Sequence, residues 1–469
     1  MKNKVLLIVN IMKKQFLIFI STILFAVLFY DQELGVNLSI FALILLIAQL
    51  VMQTKLLRDK RAIILAFCVV ATSFSNAWLL SVVTVLSVVV SSFVFRYYVV
   101  DPQMKLISNA FNFVLSWPAF VARIFLIDQW FEFKKEDSKK TLVTIFSYII
   151  MPFCILSVFF GLYVSSSDML SEWYNRYEWN IDGLIIFTII FGFYISFVFW
   201  HIKVFDFIKI IDQNLKFNFT EEQQTNQKSS FNFIPIDFEV RSGIITLVSL
   251  NCMLLFFVIV FNVENAQQTI QHISEYSSRT HSQIYLIITS VFLAMVVVLF
   301  FFKDALNFIK NNTWLLRLTK IWIGLNGFLI ASAFYQNSVY INAMGLTYKR
   351  LGVYLFLILC MIGLIYSFIK IHQKRTNYYL IDKMSWTIFY SLIFCSIFNW
   401  GNIMTNYNLQ KDTIDWNYLA YNLTGNEKTL IEYYKNQNME VPEFLLNRIK
   451  YYEDLPFLSK QLYYEFSEK

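Results

Sequence analysis

Charge is scarce in this sequence: Asp, Glu, Lys and Arg make up 15% of its 469 residues, where a soluble domain carries roughly a quarter. A chain so poor in charge cannot cover itself with solvated side chains, which excludes a water-soluble fold. Cysteine and histidine are also few, at five and four. Cys68, Cys154, Cys252, Cys360 and Cys395 all fall in apolar stretches, with no CxxC spacing and no adjacent His or carboxylate cluster. That pattern excludes a zinc ribbon or a thioredoxin-like redox motif and predicts buried, reduced packing residues. The sequence also lacks a Gly-rich phosphate loop, a nucleophile elbow, an HExxH helix and a kinase motif set. It therefore carries no catalytic or cofactor signature, and neither cofactor nor metal is expected.

What the sequence has is oil. Hydrophobic residues are 57% of the total and aromatics 19%, gathered in blocks of roughly 17 to 22 residues, the length a helix needs to cross hydrocarbon. Backbone amides in lipid must be satisfied within the segment, so the blocks read as helices. Candidate spans cover 15–30, 37–54, 62–76, 78–95, 142–164, 184–202, 244–263, 284–302, 321–338, 351–370 and 384–401. The predicted fold is an all-α polytopic transmembrane helix bundle of about eleven spans with a small C-terminal helical tail. Lys2, Lys4, Lys13 and Lys14 before the first block mimic a signal peptide, but Tyr30, Asp31, Gln32 and Glu33 follow with no small-residue cleavage site, so that block is expected to be retained.

The formal charge is +7, and its distribution carries topology. Basic residues lie in alternate short loops and form no continuous stripe, so nucleic acid is not expected as a partner. Lys55, Arg58, Lys60 and Arg61, then Lys134, Lys135, Lys139 and Lys140, then the Lys203 to Arg241 loop form one set. Lys303, Lys310, Arg317, Lys320, Lys370, Lys374, Arg375 and Lys383 complete it. The opposite loops hold Asp31, Glu33, Asp168, Glu172, Glu178, Asp182, Glu264 and Glu275. The positive-inside bias then predicts a bacterial inner membrane protein with a cytoplasmic N-terminus and an extracytoplasmic tail. Its expected partners are membrane lipids and envelope proteins.

Four segments follow: N-terminal membrane helices over 1–100, an interfacial or cytoplasmic segment over 101–141, the main transmembrane domain over 142–407, and the tail over 408–469. Residues 107–127 mix apolar positions with Ser108, Asn109, Asn112, Ser116, Pro118 and Arg123 and read as an interfacial or re-entrant helix. Ser73-Phe74-Ser75-Asn76 is expected to be the turn between spans three and four, and Lys216–Phe238 a polar loop. In the tail, Leu430, Ile431, Tyr433 and Tyr434, then Phe444, Leu445, Ile449, Tyr451 and Tyr452, recur at helical spacing.

The positive-inside rule fails at Lys349 and Arg350, which open the tenth span on its outer side after Met344-Gly345-Leu346-Thr347. Two cations there also lie at the unfavourable positive end of a helix dipole, so something should compensate them. Gly345 permits a tight turn, Thr347 is a candidate N-cap, and Arg350 and Tyr354 would share a helix face. One reading is an anion site for a carboxylate, phosphate or lipid headgroup; the other is an interfacial Arg350 paired with Glu264, Glu275 or a phospholipid. His272, Glu275, Arg279 and His281 are too dispersed for a zinc site, and His281 alone remains a candidate. Gln49, Asn251 and Asn326, inside apolar blocks, are expected to bond across helix interfaces.

Between Trp322 and Tyr354 the order Trp322, Asn326, Asn337, Tyr340, Gly345-Leu346-Thr347, Arg350 and Tyr354 resembles a bacterial membrane protein family known as domain of unknown function 4173. His281-Ser282-Gln283, Gly35-Val36-Asn37 and Asp415-Trp416-Asn417-Tyr418-Leu419 are similar to it as well, while Gln336 stands where those relatives often carry a basic residue. The resemblance implies an integral membrane location and no established activity. The functional expectation is a non-enzymatic transporter or envelope scaffold. The alternative is a membrane-embedded glycan or lipid transferase using Asp31, Glu33 or a carboxylate of the 168–182 loop.

Overall fold

The computed structural model describes residues 2–124, 144, 147, 148, 151–176, 182–225, 235–267, 273–302, 305–309 and 312–466. The side chains of residues 2–14, 119–124, 154, 175, 176, 273–285 and 305 are not described. Lys134, Lys135, Lys139, Lys140, Glu178, His272, Lys303 and Lys310 therefore lie outside the described residues, as do the side chains of Lys2, Lys4, Lys13, Lys14, Arg123, Cys154, Glu275, Arg279 and His281.

The described chain is helical throughout, with no strands beyond one isolated bridge between Asn218 and Arg375. Two compact units result. The first comprises residues 1–103, 109–205 and 455–469, the second residues 104–108 and 206–454.

In the first unit, α1 (Lys2–Phe29) packs on α8 (Gly183–Trp200), and α2 (Val36–Met52), α3 (Lys60–Trp78) and α4 (Val82–Val100) pack on one another. Aromatic rings fill the α1–α8 seam: Phe25 stands edge-on to Phe191 at 5.9 Å, and a side chain at Gly192 would come within 2.6 Å of the Phe25 ring. Small residues serve α3 and α4, where the Thr72 and Ser91 hydroxyls share a 2.9 Å hydrogen bond. With no water to satisfy them in lipid, such hydroxyls bond across the seam or back to their own helix, as Thr72 does to the Cys68 carbonyl. The unit also holds most of α5 (Leu106–Ile124), with Pro118 inside it, and the bent pair α6 (Met151–Ser166) and α7 (Asp168–Arg176).

The turn between α3 and α4 is displaced from its expected place. Ser73 and Asn76 lie inside α3, fully buried, and the chain reverses over Leu79–Ser81 instead. The Ser81 and Thr84 side chains form a reciprocal capping box, which starts α4 there. Ser and Asn read as turn formers because they compete for backbone hydrogen bonds; here Asn76 donates to Ser39 Oγ at 3.1 Å and to the Gly35 carbonyl at 3.2 Å.

The second unit is a bundle of α11 (Ile236–Gln267), α12 (Ile273–Phe301), α13 (Thr313–Met344), α14 (Tyr348–His372) and α15 (Asn377–Ile397), with short α9 (Asp206–Asn214) and α10 (Glu221–Thr225) before it. Leu247, Leu254, Ile287, Val291, Ala294, Leu329, Ala333, Leu357 and Leu364 meet in its core. The tail folds into α16 (Trp400–Asn408), α17 (Trp416–Tyr421), α18 (Glu427–Asn436) and α19 (Glu443–Asp454) around Met404, Leu419, Leu423, Leu430 and Leu445. The last short helix, α20 (Leu462–Glu465), belongs to the first unit.

Seven described helices are long and apolar enough to cross a membrane, or eight if the bent α6–α7 pair is one span. Gln15–Phe29, Val36–Met52 and Leu286–Phe301 are apolar but shorter. At 1.5 Å per residue, the 17 residues of α2 reach about 26 Å, just short of a hydrocarbon core of about 30 Å. The chain is an all-α, polytopic, membrane-embedded protein. The cysteines carry a correction: Cys68 and Cys360 are buried, but Cys395 is only half-buried and Cys252 is exposed on α11, as a thiol facing lipid can be.

Candidate functional site

Six of the residues singled out in the sequence converge where α13 ends and α14 begins. Gly345 terminates α13 with φ +80° and is buried. A Cβ there would lie 2.6 Å from Asn408 Oδ1, so both the left-handed backbone and the close approach require glycine. Thr347 is the N-cap of α14, its hydroxyl accepting from Arg350 N at 3.4 Å.

The compensation for Arg350 is the preceding helix. Arg350 NH1 donates to the Met344 and Gly345 carbonyls at 2.7 and 2.5 Å, and its guanidinium lies 4.1 Å from the centroid of the buried Tyr340 ring. The positive end of α14 is thus offset by the negative, C-terminal end of α13 and by a ring face. Among the described residues Arg350 makes no ion pair, so the expected pairing with Glu264 is not formed; the Glu275 side chain is outside the described residues.

Asn337, fully buried, donates to the Arg350 carbonyl at 3.2 Å. Tyr354 stacks on Phe334 with centroids 4.4 Å apart, and its hydroxyl shares a 2.7 Å bond with Ser338. Two polar atoms of this group, Arg350 Nε and Asn337 Oδ1, are buried without a hydrogen-bond partner.

Asn326 does not join them. It is eleven residues before Asn337, roughly 16 Å along the helix, and donates to the Trp322 carbonyl of its own helix at 2.8 Å. Gln49 likewise bonds back, to the Leu45 carbonyl, whereas Asn251 reaches across from α11 to the Leu318 carbonyl of α13 at 3.1 Å. His281 lies within α12, with its side chain outside the described residues.

The sequence reading missed the tail residues that complete the site. Asn408 accepts from Leu346 N at 2.6 Å and donates to Leu346 O at 2.9 Å, copying a strand pairing with one side chain. The Tyr418 hydroxyl accepts from Tyr348 N at 2.8 Å, and the Tyr407 hydroxyl donates to Asn342 Oδ1 at 2.9 Å. Leu346 packs into the tail core. Burial raises the Tyr418 phenol above its ordinary pKa, while the bond from Tyr348 and the Arg350 charge pull it back. The signal was present in the Asp415–Leu419 segment, where Asp415 caps α17 and fixes Tyr418.

A similar clasp lies in the first unit at Gly35-Val36-Asn37. Asn37 accepts from Gly35 N and donates to the Leu28 and Glu33 carbonyls, while Val36 N donates to Lys460 O at 3.1 Å. A side chain at Gly35 would come within 2.6 Å of the Lys460 carbonyl oxygen. Ser459 Oγ accepts from Glu33 N at 2.9 Å and bonds Gln32, and Gln461 accepts from Leu80 N at 3.2 Å. Nearby, Asp182 caps α8 and accepts from the Tyr30 hydroxyl. Among the described residues no group of three or more His, Cys, Asp or Glu could hold a metal.

No curated protein and no solved structure matches the chain. The resemblance to domain of unknown function 4173 is corrected by the family comparison. The model that matches is described as Domain of unknown function (DUF4153) and covers residues 16–428, so the chain belongs to that family.

Proposed function

We propose that this is a non-enzymatic scaffold of a bacterial inner membrane, with a cytoplasmic N-terminus and the tail helices α16–α19 as its working surface on the outer face. The observation that carries the reading is the pair of hydrogen bonds between the Asn408 side chain and the Leu346 backbone, backed by Tyr418 on Tyr348: the tail is held as part of the bundle. A surface so fixed presents Tyr421, Leu446 and Tyr451, each about half exposed or more, to envelope partners. Transport is disfavoured by the seam between α12 and α14, where a side chain at Gly363 would come within 2.8 Å of Met295 Sδ and the facing residues are aliphatic. Alternating access needs polar groups lining a wet path at that depth.

The test is photocrosslinking in cells with a reactive residue at Tyr421 or Leu446, beside a control at Ile245 on α11. A discrete protein adduct from the tail sites alone supports the scaffold. Lipid adducts alone, or a reporter fused after Lys469 that is active in the cytosol, would overturn it.

A further inference from the structure

Residues 206–213 of α9 divide into three sectors. At roughly 100° per residue, the turn of an α-helix, Ile208 and Asp212 share one sector, Asp206, Lys209 and Gln213 a second, and Phe207, Ile210 and Ile211 the third. Ile208 and Asp212 are buried against the protein, and the polar three are exposed. The apolar three are exposed as well, Ile210 by 61% and Ile211 by 53%. A helix with one face on protein, one polar and one apolar and exposed has the form of an element that lies between water and hydrocarbon.

The second unit holds α9 at such a boundary. α14 and α15 are both long and apolar enough to cross a membrane, so the turn over 373–376 between them lies at a membrane surface. Thr376 N donates to Phe217 O at 3.0 Å, the Thr376 hydroxyl donates to Lys216 O at 2.5 Å, and Phe217 stacks on Tyr378 with centroids 5.3 Å apart. Within α9, Asp212 accepts from Lys105 Nζ at 3.1 Å, and that ammonium lies 5.8 Å from the centre of the Tyr378 ring. α9 therefore sits beside the first turn of α15, where Ile381, 42% exposed, continues the apolar surface that the span turns to lipid.

The charge at this edge complements an anionic surface. Lys209, Lys216, Lys374, Arg375 and Lys383 stand against the exposed Asp206, Glu221 and Glu222. Asp212 and Asp382 are already engaged, by Lys105 and by the Tyr378 hydroxyl. Lys383 Nζ lies 5.9 Å from the centre of the Phe217 ring, which is 40% exposed, so a cation and an apolar face occur side by side.

We propose that α9 lies in the membrane surface with Ile210 and Ile211 in the acyl layer, and that Lys216, Arg375 and Lys383 hold anionic phospholipid headgroups beside it. The segment between α8 and α11 is then a membrane-docking element that selects its lipid by charge.

The test uses the full-length protein in vesicles of phosphatidylcholine mixed with phosphatidylglycerol. The native cysteines are replaced by alanine, and one nitroxide is attached through Ile210→Cys or, as the water-side reference, Gln213→Cys. The label at 210 should be relaxed by oxygen and shielded from a water-soluble nickel chelate, and the label at 213 should show the reverse. Relaxation of the 210 label by the chelate would overturn the docking. Shielding from both agents, as under a covering protein segment, would also overturn it, and so would dipolar broadening in dilute vesicles, the mark of a second copy.

Lipid choice is read from chain-labelled lipids added to the unlabelled protein. Phosphatidylglycerol should be motionally restricted at least twofold more than phosphatidylcholine. Raised salt should lower this excess in the parent, and Lys216→Gln with Lys383→Gln should remove half of it or more. Lys435→Gln with Lys450→Gln, both exposed in the tail, should leave it in place. Equal restriction of the two lipids, an excess indifferent to salt, or an equal fall in both pairs of variants would overturn the headgroup site.

Discussion

Lys370, fully buried within α14, donates from Nζ to the carbonyl of Phe302 at 2.7 Å, just beyond the C-terminal end of α12. A cation there meets the negative pole of a helix and satisfies a carbonyl that lipid would leave bare. Lys370→Met keeps the apolar stem and removes the donor. It should cost about 1–3 kcal/mol, the typical range for an orphaned buried acceptor. Chemical unfolding in detergent measures it, and Lys370→Arg should recover part of the loss.

Arg96 performs the same task in the first unit. Its Nε and NH2 donate to the Phe199 and Trp200 carbonyls at 2.9 Å each, at the end of α8, and it lies 5.1 Å from the Trp200 ring centroid. Arg96→Lys keeps the charge but not the fork, so about 1–2 kcal/mol should be lost. Arg96→Ala should lose more, and an unchanged melting temperature in Arg96→Lys would show that the fork is dispensable.

The clasp at Gly345 should fail locally. Asn408→Ala removes both bonds to Leu346, and Gly345→Ala introduces a left-handed alanine against Asn408, each at about 1–3 kcal/mol. Protease should then cut between α16 and α19 faster than in the parent, while the membrane helices stay protected. Uniform protection would mean that the tail is held by apolar packing alone.

Tyr30 and Asp182 set a pH window. Their hydrogen bond lowers the Asp182 carboxyl below its ordinary 3.8 and raises the Tyr30 phenol above its ordinary 10.0. The depressed carboxyl contributes stability that is present above 3.8 and lost as pH falls through its folded value. The raised phenol contributes stability that is present below 10.0 and lost as pH rises through its folded value. The melting difference between parent and Tyr30→Phe should therefore be flat across neutral pH and shrink toward both extremes. A difference that persists unchanged in strong acid and strong base would show that the bond does not form.

The apolar blocks were legible because burial in lipid demands continuous runs, and each block contains or overlaps a described helix. The clasp at Gly345, Thr347 and Arg350 was legible in part, since left-handed glycine, a capping threonine and a misplaced cation are local signals. Its partners were not: Asn408 is 62 residues from Leu346, and an amide that copies a strand has no sequence signature. Lys370 read as a loop cation because charge alone does not reveal that a carbonyl awaits it. The Thr376 hydroxyl and the Lys216 carbonyl it bonds stand 160 residues apart and meet only in the folded chain.

The seat at Gly35 sets a delay in biosynthesis. Ser459 follows Glu33 by 426 residues, which at 5–20 residues per second is roughly 20 to 85 s of translation. Throughout that interval the amides of Glu33, Val36 and Leu80 must be sheltered by water, the insertion machinery or a chaperone. A ribosome that stops before residue 455 would release a first unit without the segment that meets those amides, a natural mark for quality-control proteases.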